Sequence, residues 1–219
     1  MLSSENPEPY IKPEVLTDRE IFTRIWTEPR VVFRFLEDFR YDRYTYVLLV
    51  LAAVVNSLDH AGKNKMGEEH SLMYVLIMTI IFGGTFGAMF YYIYAAIASW
   101  MGRWFGGKAN TASLLRVFAH AAFPVVLTLV IVMIHIALFG IDLFRGEIVI
   151  ADYDMTYNVI YWISIIVEIS LGIWGICLAV VGVSEVQKIS IGAAIGNVFL
   201  PVVMIVAVLL LLVMPFVLW

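Results

Sequence analysis

Four side chains in this sequence have the types to do chemistry inside a lipid bilayer: Glu168, His120, His135 and Asn56. Each lies within or at the end of a long apolar run. A carboxylate at mid-membrane costs about 2.5–3.5 kcal/mol on insertion scales, so Glu168 must be sheltered or used. Used, it would exchange protons, with the two imidazoles and the amide of Asn56 extending a polar path. Sheltered, it would accept hydrogen bonds from the hydroxyls of Tyr91, Tyr94 or Ser164, since a buried tyrosine hydroxyl itself needs a partner. Each histidine also reads as a packed, neutral hydrogen-bonding residue, the commoner case. The surroundings of Glu168 separate the alternatives. A seal of hydroxyls makes the residue structural, and a cavity reaching one side of the membrane points to transport.

No enzymatic motif accompanies these residues. The HExxH, GxSxG and Walker patterns are absent, so the sequence offers no catalytic residue. Asp59-His60 and Glu68-Glu69-His70 place histidines beside acids without the spacing of a metal site. No metal and no cofactor are expected. The one cysteine, Cys177, cannot form a disulfide within the chain.

The element that must position Glu168 is the stretch Tyr157 to Ser184. Roughly 20 apolar residues cross the hydrocarbon core as a helix. Tyr161, Ser164, Glu168, Gly172, Gly175, Ala179 and Gly182 follow one another at steps of three or four and form one small, polar stripe. Small residues let helices approach closely and polar ones bond across the contact. The stripe is expected to face inward, with the other spans packed around it. Composition agrees with a membrane setting: 62% of the 219 residues are hydrophobic and 15% charged, far from the soluble average. A net charge of −4 and the lack of a basic stripe exclude nucleic acid as a partner.

Along the chain, residues 1–17 carry Pro7, Pro9 and Pro13 and read as a flexible tail. Residues 18–43 read as an amphipathic helical segment capped by Asp18, with apolar aromatics such as Trp26 and Phe33 beside arginines such as Arg30. That pattern fits a helix in the headgroup plane, and equally one packed under the bundle with its arginines solvated. The spans fall at about 44–58, 72–101, 114–139, 157–184 and 197–218. Gly83 and Gly87 make a small-xxx-small contact in the second. Asn110 or Thr111 caps the third, Arg116 in its first turns snorkels to phosphates, and Pro124 kinks it. The loop 140–156 is acidic, with Asp142, Glu147, Asp152 and Asp154. Ser190 caps the last helix, Pro201 kinks it, and Pro215 and Trp219 mark the far interface. The fold class is an all-α integral membrane protein, a five-helix bundle with an N-terminal cytoplasmic amphipathic segment.

Lysines and arginines set the orientation. Arg19, Arg24, Arg30, Arg34, Arg40 and Arg43, the 102–113 link with Arg116, and Lys188 share one side; Lys63, Lys65 and Arg145 lie on the other. The positive-inside rule puts the N-terminus in the cytoplasm and the C-terminus outside.

Three stretches resemble the Yip (Ypt-interacting protein) domain family in its bacterial form. They are Ile25-Trp26-Thr27-Glu28-Pro29-Arg30-Val31-Val32-Phe33, then Gly106-Gly107-Lys108 with Leu114-Leu115-Arg116-Val117 and Phe123-Pro124, and Ile189-Ser190-Ile191-Gly192-Ala193-Ala194. The resemblance implies a cytoplasmic N-terminus, five spans, no established catalytic residues and, for a bacterial member, the inner membrane. Eukaryotic members contact Rab-type GTPases and carry an acidic-Leu-Tyr-Gly-Pro motif before the first span. Asp142-Leu143-Phe144-Arg145-Gly146 is similar in letters but lies between spans three and four, which weakens any GTPase expectation.

Three functions follow. The first is a non-enzymatic membrane scaffold or adaptor, in contact with lipid and with a protein at the N-terminal region. The second is a small transporter, channel or proton-coupled permease using Glu168, with His120, His135 and Asn56 along its path. The third, a lipid-modifying enzyme, lacks a motif. Gly83/Gly87 and Gly192/Gly196 offer faces for a homodimer, and packing within the chain explains them equally well. Gly172, Gly175 and Gly182 are read as helix-packing positions.

Overall fold

A computed structural model describes residues 14–146 and 152–217, without the side chains of residues 209, 212, 213 and 215–217. Pro7, Pro9 and Pro13 of the expected tail, Glu147 and Trp219 lie outside the described residues, as does the side chain of Pro215. The helices are α1 (Asp18–Arg24), α2 (Pro29–Asp38), α3 (Thr45–Lys63), α4 (Leu72–Met78), α5 (Gly84–Gly102), α6 (Thr111–Ala121), α7 (Phe123–Phe139), α8 (Met155–Gln187) and α9 (Ile191–Val217). Among the described residues, five helical stretches are long and apolar enough to cross a membrane: Thr45–Lys63, Leu72–Phe105, Phe123–Phe144, Met155–Gln187 and Ile191–Val208. The chain is an all-helical integral membrane protein.

Local chemistry explains the boundaries. Thr17, not Asp18, caps α1, and it forms a reciprocal capping box with Glu20. Pro29 opens α2, where a missing N–H costs nothing. Asn110 accepts from the Ser113 N–H at 2.9 Å and starts α6. Ser190 accepts from Ala193 N–H and starts α9. A π-turn over Thr79–Gly83 joins α4 to α5 in one long span. The expected third span is two helices, separated at Ala122. Pro124 has no N–H for the carbonyl four residues back, so regular helix cannot pass through. α9 continues through Pro201 as assigned helix.

α3 touches α5, α6 and α7, and α8 touches α2, α6, α7 and α9. Half of the apolar window of α3 is buried, against 28% for α8. The hub of the bundle is therefore α3, and α8 forms one wall. The stripe on α8 does face inward. A methyl carbon on Gly182 would stand 2.6 Å from Val117 Cγ1, and one on Gly175 3.1 Å from the Ala121 carbonyl. Gly83 and Gly87 are filled from within the chain, by Ser57 and Ala53 of α3.

α1 and α2 lie under one end of the bundle, here called the near face. Ile21, Ile25, Val32, Phe33 and Leu36 are all buried to 1% exposure or less, so the apolar face of this segment meets protein rather than headgroups. Trp26 is half-buried with its ring edge on Phe123, and Arg30 is exposed. Arg116 does not snorkel. It is buried, with its guanidinium 3.0 Å from Glu37 and 3.3 Å from Asp42, because α2 and the turn after it bring acids to its exit. Ser113 donates to the same Glu37 at 2.9 Å. Arg34 reaches Glu185 of α8 at 2.9 Å. Asp18 accepts from the hydroxyls of Tyr41 at 2.6 Å and Tyr44 at 2.7 Å and pairs with Arg43 at 2.7 Å.

Arg116→Met strands Glu37 and Asp42 beneath the bundle. A fully enclosed pair loses about 3–5 kcal/mol when one partner is removed, and with Glu37 partly solvated the expected loss is about 2 kcal/mol. Thermal unfolding in detergent checks this, and an unchanged melting temperature would show the clamp to be idle. Asp18 gives a pH dependence. The donated hydroxyls of Tyr41, then Tyr44, hold its carboxyl below the usual carboxylate range. Its folded value being the lower one, its contribution is complete above the unfolded value and is lost as pH falls through the folded value. Protease cleavage near α1 should rise in acid below the ordinary carboxylate range. Asp18→Asn should raise it already at neutral pH, and equal cleavage of variant and wild type there would refute this.

Candidate functional site: a polar cavity at Glu168

The side chains singled out in the sequence separate into three places. Glu168, His135 and Asn56 line one cavity of about 770 Å³ between α3, α7 and α8. Its wall also includes Thr128, Tyr161 and Gly172, with Val125, Val132, Ile165 and Ile169 as apolar surface. The charged end of its lining, here called the mouth, lies opposite α1 and α2 and holds Asp59, Lys63, Lys65 and Gly146. Glu168 sits 13 positions into α8, about 20 Å from the start of that helix at 1.5 Å per residue. The cavity ends near Gly172, where an added methyl carbon would meet nothing within 4 Å. One turn on, Gly175 closes against α6. The cavity thus reaches from the far face to mid-depth.

Among the described residues the buried Oε1 of Glu168 has no hydrogen-bond partner, and neither does Nε2 of His135. Ser164 donates instead to the Ile160 carbonyl of its own helix, at 2.8 Å. Tyr94 donates to the Val198 carbonyl, and Tyr91 accepts from Asn56 Nδ2 at 3.4 Å. Tyr91 and Tyr94 belong to a smaller recess of about 380 Å³ against α5, which Asn56 also borders. His120 is elsewhere again, fully buried by α1 with Nδ1 2.9 Å from the Arg116 carbonyl. A continuous path through Glu168, His135, His120 and Asn56 is therefore not formed. His135 is 3% exposed and packs on Tyr161, with ring centroids 5.4 Å apart.

The rim charges are already matched. Lys63 pairs with Asp59 at 2.6 Å, Arg145 with Asp142 at 2.7 Å, and Lys65 lies 3.8 Å from Glu68. Among the described residues no group of three or more His, Cys, Asp or Glu converges as metal ligands would.

A second polar centre went unread in the sequence. Gln187, beside the charged Glu185 and Lys188, is fully buried. Its Oε1 accepts from Ala109 N–H at 3.1 Å and its Nε2 donates to Asn197 at 3.4 Å. Asn197 in turn donates to the Ala98 carbonyl at 2.9 Å. A methyl carbon on Gly102 or Gly107 would stand about 2 Å from the Gln187 amide, so both positions admit only glycine beside it. The signal that could have found it is the three glycines Gly102, Gly106 and Gly107 beside two buried-span amides. This knot joins the α5–α6 link to the ends of α8 and α9.

Five apolar spans with a two-helix plate under one end define a helical membrane bundle. The Yip1 domain family model matches residues 23–213, and the chain belongs to that family. Neither the curated proteins nor the solved structures give a match. At the coarse level the family and its apolar helices fit a membrane scaffold.

Proposed function

We propose that the chain is a non-enzymatic membrane scaffold or adaptor of the bacterial Yip type, in the inner membrane, with its N-terminus in the cytoplasm and its C-terminus outside. The observation that carries this reading is the plate of α1 and α2. Its apolar side is spent on the bundle, and ion pairs from Arg116 and Arg34 fix its position. What it turns outward is a mixed-charge surface that includes Arg19, Glu28, Arg30, Asp38 and Arg40. A fixed, charged surface suits contact with another protein, where charge complementarity sets partner choice. Basic residues gathered on this side support the orientation. The reading no longer draws on Glu168, which lacks the hydroxyl seal of a purely structural carboxyl. A photo-crosslinking residue at position 30 should trap one discrete protein in native membranes, and one at the lipid-facing position 163 should trap lipid. Lipid at both positions would overturn the adaptor reading.

The unpartnered Glu168 on a cavity favours a second reading, a proton-coupled permease. In proteoliposomes under a proton gradient, that reading expects proton-linked uptake above protein-free vesicles and its loss in Glu168→Gln. The scaffold reading expects no such uptake. Full proton-linked flux in Glu168→Gln would end the permease reading in this form.

A further inference from the structure

We propose that the cavity between α3, α7 and α8 is a binding site for a small molecule carrying a primary ammonium group. The inference shares this cavity with the permease reading but requires binding only. The volume, about 770 Å³, falls within the range of about 300–1,000 Å³ typical of small-molecule pockets.

Charge decides the ligand class. Each lysine at the mouth already has its own carboxylate, so among the described residues the rim offers no spare cation for an anionic ligand. Glu168 is the cavity's carboxylate without a cation among the described residues. Its buried Oε1 and the Nε2 of His135 both lack a hydrogen-bond partner, and His135 is 97% buried while lining this space. Nε2 accepts a hydrogen bond in one of the two neutral imidazole tautomers. A group that carries positive charge and donates hydrogen bonds satisfies Glu168, and Nε2 of His135 is a further acceptor lining the same space. An ammonium has three donors, and its bond to a carboxylate is of the strong, charge-assisted kind. The Tyr161 ring beside His135 adds a π surface that attracts a cation. The deeper wall, with Val125, Val132 and Ile165, is apolar and suits a hydrocarbon or aromatic body attached to the amine. Among the described residues no third His, Cys, Asp or Glu joins Glu168 and His135 as a metal ion would need.

Two sources offer this chemistry: a free amine entering from the far face, and the ethanolamine headgroup of a lipid. The test is calorimetric titration of phenethylammonium into the full chain in phosphatidylcholine nanodiscs, with phenethyl alcohol as neutral counterpart. Saturable binding of the amine is expected, with none of the alcohol. Glu168→Gln should weaken binding by about tenfold or more. Gly172→Leu should abolish it, because its side chain grows into empty space without a clash. This second variant decides the matter if Glu168→Gln does not fold. Equal affinity for amine and alcohol, unchanged binding in Gly172→Leu, or no saturable binding would overturn the site. In phosphatidylethanolamine nanodiscs, loss of phenethylammonium binding supports the site with a lipid headgroup as its occupant, and unchanged binding supports it with a free amine. Binding without proton-linked flux retains the ammonium site and removes the permease reading alone.

Discussion

One buried guanidinium organises the near half of the molecule. Arg116 leaves the protein interior at the point where α2 ends, and it finds Glu37 and Asp42 there. A buried charge is tolerated only when paired and hydrogen-bonded. α2 must therefore lie where its acid can reach, and α6 must present its first turns towards that acid. The apolar contacts follow from this placement. Phe33 seats against Gly182 of α8, and Phe22 packs tilted against Phe123 and edge-on against Tyr44. The plate, the break at Ala122 and the close approach of α6 to α8 form one arrangement.

The far half is governed differently. There the helices part, and polar groups line the space between them. Glu168 and His135 are presented by α8 and α7, and at the mouth Tyr153, just before α8, donates to Asp142 in the turn after α7 at 2.6 Å. The amide of Gln187 joins the link after α5 to the last two spans at the near end, so that end is held both by charge and by a neutral hydrogen-bond network. Rigid packing at one end and an unfilled polar space at the other coexist because different residues serve each.

The spans were legible in the sequence because their signal is local: apolar runs of bilayer length with polar breaks, and caps at Asn110 and Ser190. The inward stripe on α8 was legible by its spacing, and so was the pairing of Glu168 with a question about solvent. What could not be read depends on distant partners. Arg116 near a span end looks like a residue bound for phosphate until the acids 79 and 74 positions away are placed beside it. Gln187 looks like a turn residue until Ala109 and Asn197 converge on it. Tyr91 and Tyr94 share a helix face, but which neighbouring helix meets that face is set by the packing of Gly83 and Gly87 on α3, not by their spacing. The amphipathic pattern of α2 specified an apolar face without specifying whether lipid or protein would cover it.

The one-sided depth of the cavity has an electrical consequence. Filled with water, the space down to Gly172 would conduct ions and support little field. The membrane potential then drops mainly across the packed half between Gly175 and the plate. A charge crossing a full potential of 100 mV changes in energy by about 2.3 kcal/mol. A charge that merely reaches Glu168 from the far face traverses only a small share of that drop. Occupancy at Glu168 is thereby insulated from voltage, whereas any step that carries a charge onward past Gly175 would meet nearly all of it.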